Sequence, residues 1–144
     1  DRVYKDIFKE LEKGTTTIDI SDCPDLGPVL FALAAAKNGA IFIGTKRLKI
    51  KESDRATAMK QELSKLAINI IIEENRVIIP KSKLVTPTER IYGHNDHRIV
   101  MAMSLLLSIT GGEIEGAEAV SKSYPDYFNC IKSLGIGVKT YEAD

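Results

Sequence analysis

Several features are scarce in this sequence, and each scarcity excludes a class of protein. Twenty Lys and Arg balance twenty Asp and Glu, so no net charge is available to hold a nucleic acid backbone. No apolar run approaches the roughly twenty residues that cross a bilayer, so we expect no membrane role. The two cysteines, Cys23 and Cys130, are too few for a disulfide scaffold and lack metal-ligand spacing. These absences favour a reducing, cytoplasmic setting.

The composition that remains is ordinary for a globular protein. The 144 residues are 44% hydrophobic and 28% charged, which fits one compact domain. The chain begins with Asp1, and its start has neither the basic nor the apolar stretch of a signal peptide. We therefore expect a fragment of a protein that is not secreted.

Hydrophobic periodicity predicts an α/β protein. Helical spacing covers the first dozen residues and ends at Gly14. A nearly all-apolar helix and an amphipathic helix alternate with β-branched strands, and the polar turn 73–76 joins two strands as a hairpin. The predicted elements after the first helix are a strand at 15–20, a helix at 26–37, a strand at 40–43, a helix at 53–66 and the hairpin strands at 68–72 and 77–79.

The second half of the chain repeats the first. Asp25 opens an apolar helix and Lys51 follows twenty-six residues later; Asp96 and Lys122 have the same relation. A period near seventy residues predicts two copies of one α/β unit, although two unrelated α/β segments could match by chance. We expect a leading helix and strand at 1–20, a repeat at 21–80, a linker at 81–90 and a repeat at 91–144. The two apolar helices should be enclosed on every side.

A charged cluster stands at the start of the amphipathic helix. Ser53 is a good N-cap, and Lys51, Glu52 and Arg55 surround it. The free N–H groups of a helix start, together with two cations, form a ready site for a charged anion. Glu52 could exchange a proton with that anion. A capped helix with a solvated charged face explains the same run without a site.

A second cluster precedes the other apolar helix. Asp96 and His97 stand at its start, and Arg98 offers a planar fork suited to a carboxylate or phosphate. His94 and His97 have a metal-like spacing, but no further ligand stands near them, so we expect no metal. Polar capping of a buried helix is the alternative interpretation.

The third cluster contains Lys122, at the repeat position of Lys51. Pro125 suits the first turn of a helix, with Ser123 or Tyr124 near its cap. Alone, Lys122 would be a surface residue. If the buried helices run parallel, however, all three clusters converge on one face and form a site for a phosphorylated or carboxylated small molecule.

Four ordered motifs resemble the EPSP synthase (3-phosphoshikimate 1-carboxyvinyltransferase) family. They are CPD at 23–25, LKIKESDR at 48–55, GHNDHRIVMA at 93–102 and SKSYPDYF at 121–128. The related UDP-N-acetylglucosamine enolpyruvyl transferases are similar in fold but lack the KESDR and NDHR pair. They are the alternative family.

The resemblance implies a fold and a reaction. The fold has repeated βαβαββ units with enclosed helices and outer sheets, in two lobes with the substrates between them. The reaction transfers the enolpyruvyl group of phosphoenolpyruvate to the 5-hydroxyl of shikimate 3-phosphate and releases phosphate, in cytoplasmic aromatic amino acid synthesis. The resemblance implies no metal or organic cofactor.

Site residues follow from the resemblance wherever the motifs match. Asp25 would contact the 5-hydroxyl and accept its proton, and Glu52 would take part in proton transfer at the phosphoenolpyruvate methylene. Arg47 departs from the Asn found in many relatives, so that contact is not carried over. The remaining implied contacts are Lys51 to shikimate 3-phosphate, Arg55, Arg98 and Lys122 to phosphoenolpyruvate, and Asp96 and His97 lining the same site.

The length sets a limit on this resemblance. Family members are about three times as long, so we expect this chain to be the C-terminal third, with about two of six units. We expect it to be inactive alone and to be completed by an N-terminal lobe of the same enzyme. The complete enzyme would be monomeric. The alternatives are a stand-alone module that binds phosphorylated metabolites and a purely structural repeat.

Overall fold

A computed structural model describes residues 2–142 as five helices and six short strands in mixed α/β order. Short 3-10 turns at Pro24–Leu26, Lys46–Ile50 and Ala117–Lys122 stand at the ends of these elements. The helices are α1 (Arg2–Glu12), α2 (Gly27–Ala36), α3 (Arg55–Ser64), α4 (His97–Thr110) and α5 (Tyr127–Ser133). The strands are β1 (Thr17–Asp19), β2 (Ala40–Ile43), β3 (Ile71–Ile72), β4 (Arg76–Ile79), β5 (Ile91–Tyr92) and β6 (Ile114–Glu115).

The strands form two sheets. In the first, with order β1-β2-β4-β3, β1 runs parallel to β2 while β4 is antiparallel to both β2 and β3. In the second, β5 and β6 are parallel. Each parallel pair is joined by a crossover that contains an apolar helix, α2 in the first sheet and α4 in the second. The order β1-α2-β2-α3 is thus followed by β5-α4-β6-α5.

The apolar helices pack against each other at the centre. Phe31 of α2 and Met103 of α4 are fully buried and belong to one core with the inner faces of the first sheet. Phe31 also packs on Phe42 of β2, with ring centroids 5.1 Å apart. Gly39 permits the turn after α2, since its φ is +75° and a Cβ there would lie 2.4 Å from the carbonyl oxygen of Ile79.

The expected enclosure of both helices is only partly correct. All residues of α2 except Ala36 are buried or half-buried, as predicted. In α4, however, Leu105 and Ile109 are 36% and 65% exposed while Leu106 between them is 1% exposed, so the described chain leaves one side of this helix uncovered. Among residues 134–142 there is no strand, so the second unit lacks the closing hairpin that the first unit has in β3 and β4.

Most predicted elements are confirmed, but two predicted caps are wrong. The 73–76 turn joins an antiparallel pair, and strand 40–43 is present as predicted, whereas the strand expected at 15–20 is limited to β1. Asp54, not Ser53, caps α3, accepting from the Thr57 N–H at 3.3 Å. Asp126 is the N-cap residue of α5, so neither Ser123 nor Tyr124 caps it.

The structure describes both cysteines. Cys23 and Cys130 are free thiols, each half-buried, and Cys23 packs against the main core. Among residues 2–142, no helix is both long enough and apolar enough to cross a membrane.

Candidate functional site

The guanidinium of Arg55 lies at the centre of the site. Arg55 begins α3 and is only 1% exposed, although it is one of the most hydrophilic side chains. Its Nη1 donates to Asp25 at 2.9 Å and its Nη2 to Glu52 at 2.6 Å. Its Nε and Nη2 donate to the two oxygens of Asp96 at 2.9 and 3.2 Å. Four of the five guanidinium N–H groups are therefore satisfied by carboxylates of the chain itself.

These contacts bring three helix starts together. Asp25 precedes α2, Arg55 opens α3, and Asp96 is the N-cap of α4. Partial positive charge at each helix start favours the carboxylates there and any anion that replaces them. The predicted convergence of the two apolar helices at their N-terminal ends is thus present in the structure.

Asp96 is the buried anchor of this arrangement. Its side chain is fully buried and accepts from Ser53 Oγ at 2.8 Å and from the Arg98 N–H at 3.0 Å, besides the two bonds from Arg55. Burial alone would raise the pKa of the Asp96 carboxyl, but the bonds from Arg55 and Ser53 outweigh it and lower the pKa. Ser53, predicted as a helix cap, therefore donates a hydrogen bond to Asp96 instead.

Asp25 is, with Glu52, an exposed carboxylate of the site. It accepts from Arg55 and lies 3.1 Å from Lys51 Nζ, and its side chain is 54% exposed. Partial burial raises the pKa of Asp25, but Lys51 and Arg55 more than offset this and hold the pKa below its usual value. Asp25 is therefore an ionised carboxylate at an accessible edge of the cluster.

Lys122 occupies the position in the second half that Lys51 occupies in the first. Its ammonium group donates to the backbone oxygen of Asn95, directly before the cap of α4. Lys51 likewise contacts Asp25, directly before α2. Each lysine therefore lies beside the start of an apolar helix, Lys51 through a carboxylate and Lys122 through a backbone carbonyl.

Arg98 and His97 have polar atoms without partners. Among residues 2–142, Arg98 Nε and His97 Nδ1 are buried atoms that make no hydrogen bond. Arg98 has no carboxylate within ion-pairing distance in the same part of the chain, in contrast to Arg55. Buried polar atoms are nearly always hydrogen-bonded, so these two are groups that a bound ligand could satisfy.

The structure thus brings the candidate residues into one cluster and divides their roles. Asp25, Glu52 and Asp96 neutralise Arg55, while Arg98 and Lys122 remain free of carboxylates in the described chain. Among residues 2–142, no three His, Cys, Asp or Glu side chains are grouped so as to hold a metal ion.

One buried residue of α3, Glu62, is absent from the sequence-based site. Glu62 of α3 is fully buried and bonds His94 Nε2 at 2.7 Å and the Tyr92 N–H at 2.8 Å. The signal was present in the sequence, because Glu62 lies three residues after Met59 and four before Leu66, on the apolar side of the helix. A charged residue on such a face needs buried partners.

Comparison with known proteins identifies the family. The sequence profile of EPSP synthase (3-phosphoshikimate 1-carboxyvinyltransferase) matches residues 4–131, nearly all of the chain. The chain belongs to the EPSP synthase family. The match includes every residue of the cluster around Arg55.

Individual relatives carry the same name. A 3-phosphoshikimate 1-carboxyvinyltransferase of Clostridium botulinum is 41% identical over 123 residues, which is 83% of this chain and 28% of the relative. That of Clostridium novyi is 43% identical over 135 residues, covering 89% and 31%. That of Sulfurisphaera tokodaii is 38% identical over 134 residues, covering 89% and 31%. The chain therefore spans about three tenths of the length of these EPSP synthases.

Proposed function

We propose that this chain is part of a transferase that moves the enolpyruvyl group of phosphoenolpyruvate to the 5-hydroxyl of shikimate 3-phosphate. The observation that carries the proposal is the convergence of three helix starts around Arg55, with Arg98 and Lys122 left without carboxylate partners among residues 2–142. Family membership supplies the identity of the two substrates.

Arg98 and Lys122 are proposed to bind phosphoenolpyruvate. The forked guanidinium of Arg98 suits bidentate contact with a carboxylate or phosphate, and its Nε has no partner in the described chain. Lys122 lies beside the start of the same helix as a compact positive charge. His97, with its free Nδ1, is proposed to line this subsite together with Asp96.

Lys51 and Arg55 are proposed to change partners when substrate binds. Lys51 is proposed to move from Asp25 toward shikimate 3-phosphate. Arg55 is proposed to exchange part of its contact with Asp25 or Glu52 for phosphoenolpyruvate, while the buried Asp96 keeps its position. Because Lys51 and Arg55 lower the pKa of Asp25, their departure would make Asp25 a stronger base when the hydroxyl arrives.

The proposed chemistry needs a proton donor and a proton acceptor side by side. Protonation of the phosphoenolpyruvate methylene creates a cationic carbon, which the 5-hydroxyl attacks while it gives up its proton. The enzyme then removes the methyl proton, and phosphate leaves with one proton from the enzyme as hydrogen phosphate, which yields the enol ether. The enzyme gives up two protons and regains two, so it ends in its starting protonation state. Glu52 and Asp25 contact the same guanidinium and are proposed to share these proton transfers.

The chain is proposed to act as a partial lobe of a longer, monomeric, cytoplasmic enzyme. The proposal rests on its coverage of 28% of the Clostridium botulinum relative and on the repeated strand–helix order. The two units at 21–80 and 91–144, joined by the linker 81–90, would be two of six, and the other lobe would complete the pocket. The chain alone is then expected to show no turnover.

Phosphate release tests the proposed reaction. The complete polypeptide that carries residues 1–144 is mixed with phosphoenolpyruvate and either shikimate 3-phosphate or UDP-N-acetylglucosamine. The proposal predicts release only with shikimate 3-phosphate, at least about tenfold slower in Asp25→Asn and Glu52→Gln than in the wild type. Release only with the UDP-sugar would assign the related transferase, and saturable binding without release would assign a binding module.

A further inference from the structure

Glu62 is a buried carboxylate that the proposed reaction does not use. It lies on α3, seven residues after Arg55, and is fully buried. Its Oε1 accepts from Lys65 Nζ at 2.7 Å and from the Tyr92 N–H at 2.8 Å, while its Oε2 lies 2.7 Å from His94 Nε2. Lys65 in turn donates to the Arg90 backbone oxygen at 2.9 Å. Glu62 therefore ties α3 to β5 and to the turn that follows it.

That turn has an unfavourable backbone. His94 and Asn95 are consecutive residues in the left-handed region, with φ of 53° and 51°. Asn and His tolerate this region better than other residues with a Cβ, but two such residues in succession still cost free energy, and they persist where surrounding contacts hold them. The Asp96 N–H closes the turn by a bond to the Gly93 oxygen at 3.0 Å. Two side chains from outside the turn also hold it: Glu62 bonds the His94 ring, and Lys122 bonds the Asn95 backbone oxygen.

The turn leads directly into the site. Asp96, which follows it, caps α4 and bonds Arg55, and Arg98 lies two residues further on. The direction in which the chain leaves the turn therefore sets where the Arg98 guanidinium can reach. It also sets the position of the Asn95 oxygen that holds Lys122.

We propose that Glu62 is a positioning residue: its bonds to His94 and to the Tyr92 N–H fix the left-handed turn at the start of α4. The fixed turn holds Arg98 and Lys122 in place for an anionic substrate. The identity of that anion as phosphoenolpyruvate rests on the proposed function. A small misplacement of binding groups weakens substrate contacts strongly, so a remote link of this kind affects binding without touching substrate.

The test is made at His94, because it is partly exposed and its replacement leaves the buried Glu62–Lys65 pair intact. His94→Ala removes the bond to Glu62, and His94→Gln restores a donor to the carboxylate. Ala and Gln are similarly disfavoured in the left-handed region, so their difference isolates the hydrogen bond. Glu73→Gln is the control, since Glu73 makes the same kind of i,i+3 ion pair, with Arg76, on an exposed hairpin.

The variants are made in the complete polypeptide that carries these residues. We expect His94→Ala to raise KM for phosphoenolpyruvate about tenfold with kcat within about twofold of the wild type. His94→Gln should recover most of the change, and Glu73→Gln should match the wild type. An equal KM in His94→Ala and Glu73→Gln, or an equal rise in both His94 variants, would overturn the positioning role.

Amide hydrogen exchange separates this inference from the proposed reaction. The positioning role predicts faster exchange of the backbone N–H groups at 96–98 in His94→Ala than in His94→Gln or Glu73→Gln, whether or not phosphate is released. Equal protection in all three variants would overturn it. Absence of phosphate release from the wild type would instead refute the proposed reaction, and the exchange result would still decide the role of Glu62.

Discussion

Replacing Asp96 with Asn should destabilise the protein through the charge of Arg55. The two side chains have the same shape, and Asn is as good an N-cap as Asp, so the cap of α4 is retained. The buried guanidinium, however, loses the carboxylate that accepts two of its bonds. It would then depend on Asp25 and Glu52, whose side chains are 54% and 43% exposed.

The size of this effect follows from the remaining partners. Breaking a buried ion pair by removing one charge costs about 3–5 kcal/mol, because the other charge stays buried. Since two exposed carboxylates still neutralise part of the Arg55 charge, we expect a loss of about 2–3 kcal/mol, below the full range.

Urea unfolding of the chain, followed by circular dichroism, measures this loss. Asp54→Asn is the matched control because Asp54 also caps a helix, through Thr57, and has no ion pair among the described residues. The control should change the free energy of unfolding by less than about 0.5 kcal/mol. If Asp96→Asn lowers the free energy of unfolding no more than Asp54→Asn does, the buried Arg55–Asp96 pair does not stabilise the site.

Three further outcomes follow from the same contacts. The pKa values of Asp96 and Glu62 lie below their ordinary values of 3.8 and 4.5. The stability that these carboxylates contribute is therefore fully present above the ordinary values and is lost as the pH falls through the lowered ones. Urea midpoints measured from pH 7 to pH 3 should decline only at the acidic end, and the decline should be smaller in Asp96→Asn. Arg98→Lys should raise KM for phosphoenolpyruvate more than it lowers kcat in the complete polypeptide, since a point charge replaces the forked guanidinium. Equal KM values in steady-state kinetics of the variant and the wild type would contradict bidentate contact by Arg98. Gly39→Ala should lower the free energy of unfolding by at least about 2 kcal/mol, because φ is +75° and the new Cβ would meet the Ile79 oxygen, whereas an unchanged thermal midpoint would show that the turn can relax.

Local patterns in the sequence predict the elements well where they are long or strongly periodic. The apolar helix α2, strand β2 and the hairpin of β3 and β4 all follow from hydrophobic spacing and turn residues. The cap of α3 was assigned to Ser53 because Ser and Asp are both good caps and adjacent in the chain. The choice of Asp54 depends on Asp96, which takes the Ser53 hydroxyl from another part of the fold.

The site was predictable as a group of residues but not as a set of contacts. The spacing of Asp25 and Lys51, repeated by Asp96 and Lys122, indicated which residues meet. It gives no sign that three carboxylates contact Arg55 while Arg98 has no such partner among residues 2–142, since those bonds join residues that are up to 41 positions apart. The place of Glu62 on the apolar side of α3 indicates its burial, but not its partners, which come from β5 and the following turn.

Titration calorimetry with phosphoenolpyruvate alone, so that no turnover occurs, tests whether Arg98 and Lys122 bind the anion. The complete polypeptide is compared with Arg98→Gln, Lys122→Met and the control Lys60→Met, whose lysine is exposed on α3. We expect saturable binding that Arg98→Gln and Lys122→Met each weaken at least about tenfold and that Lys60→Met leaves unchanged. Equal affinity in all four proteins would show that the start of α4 is not where the anion binds.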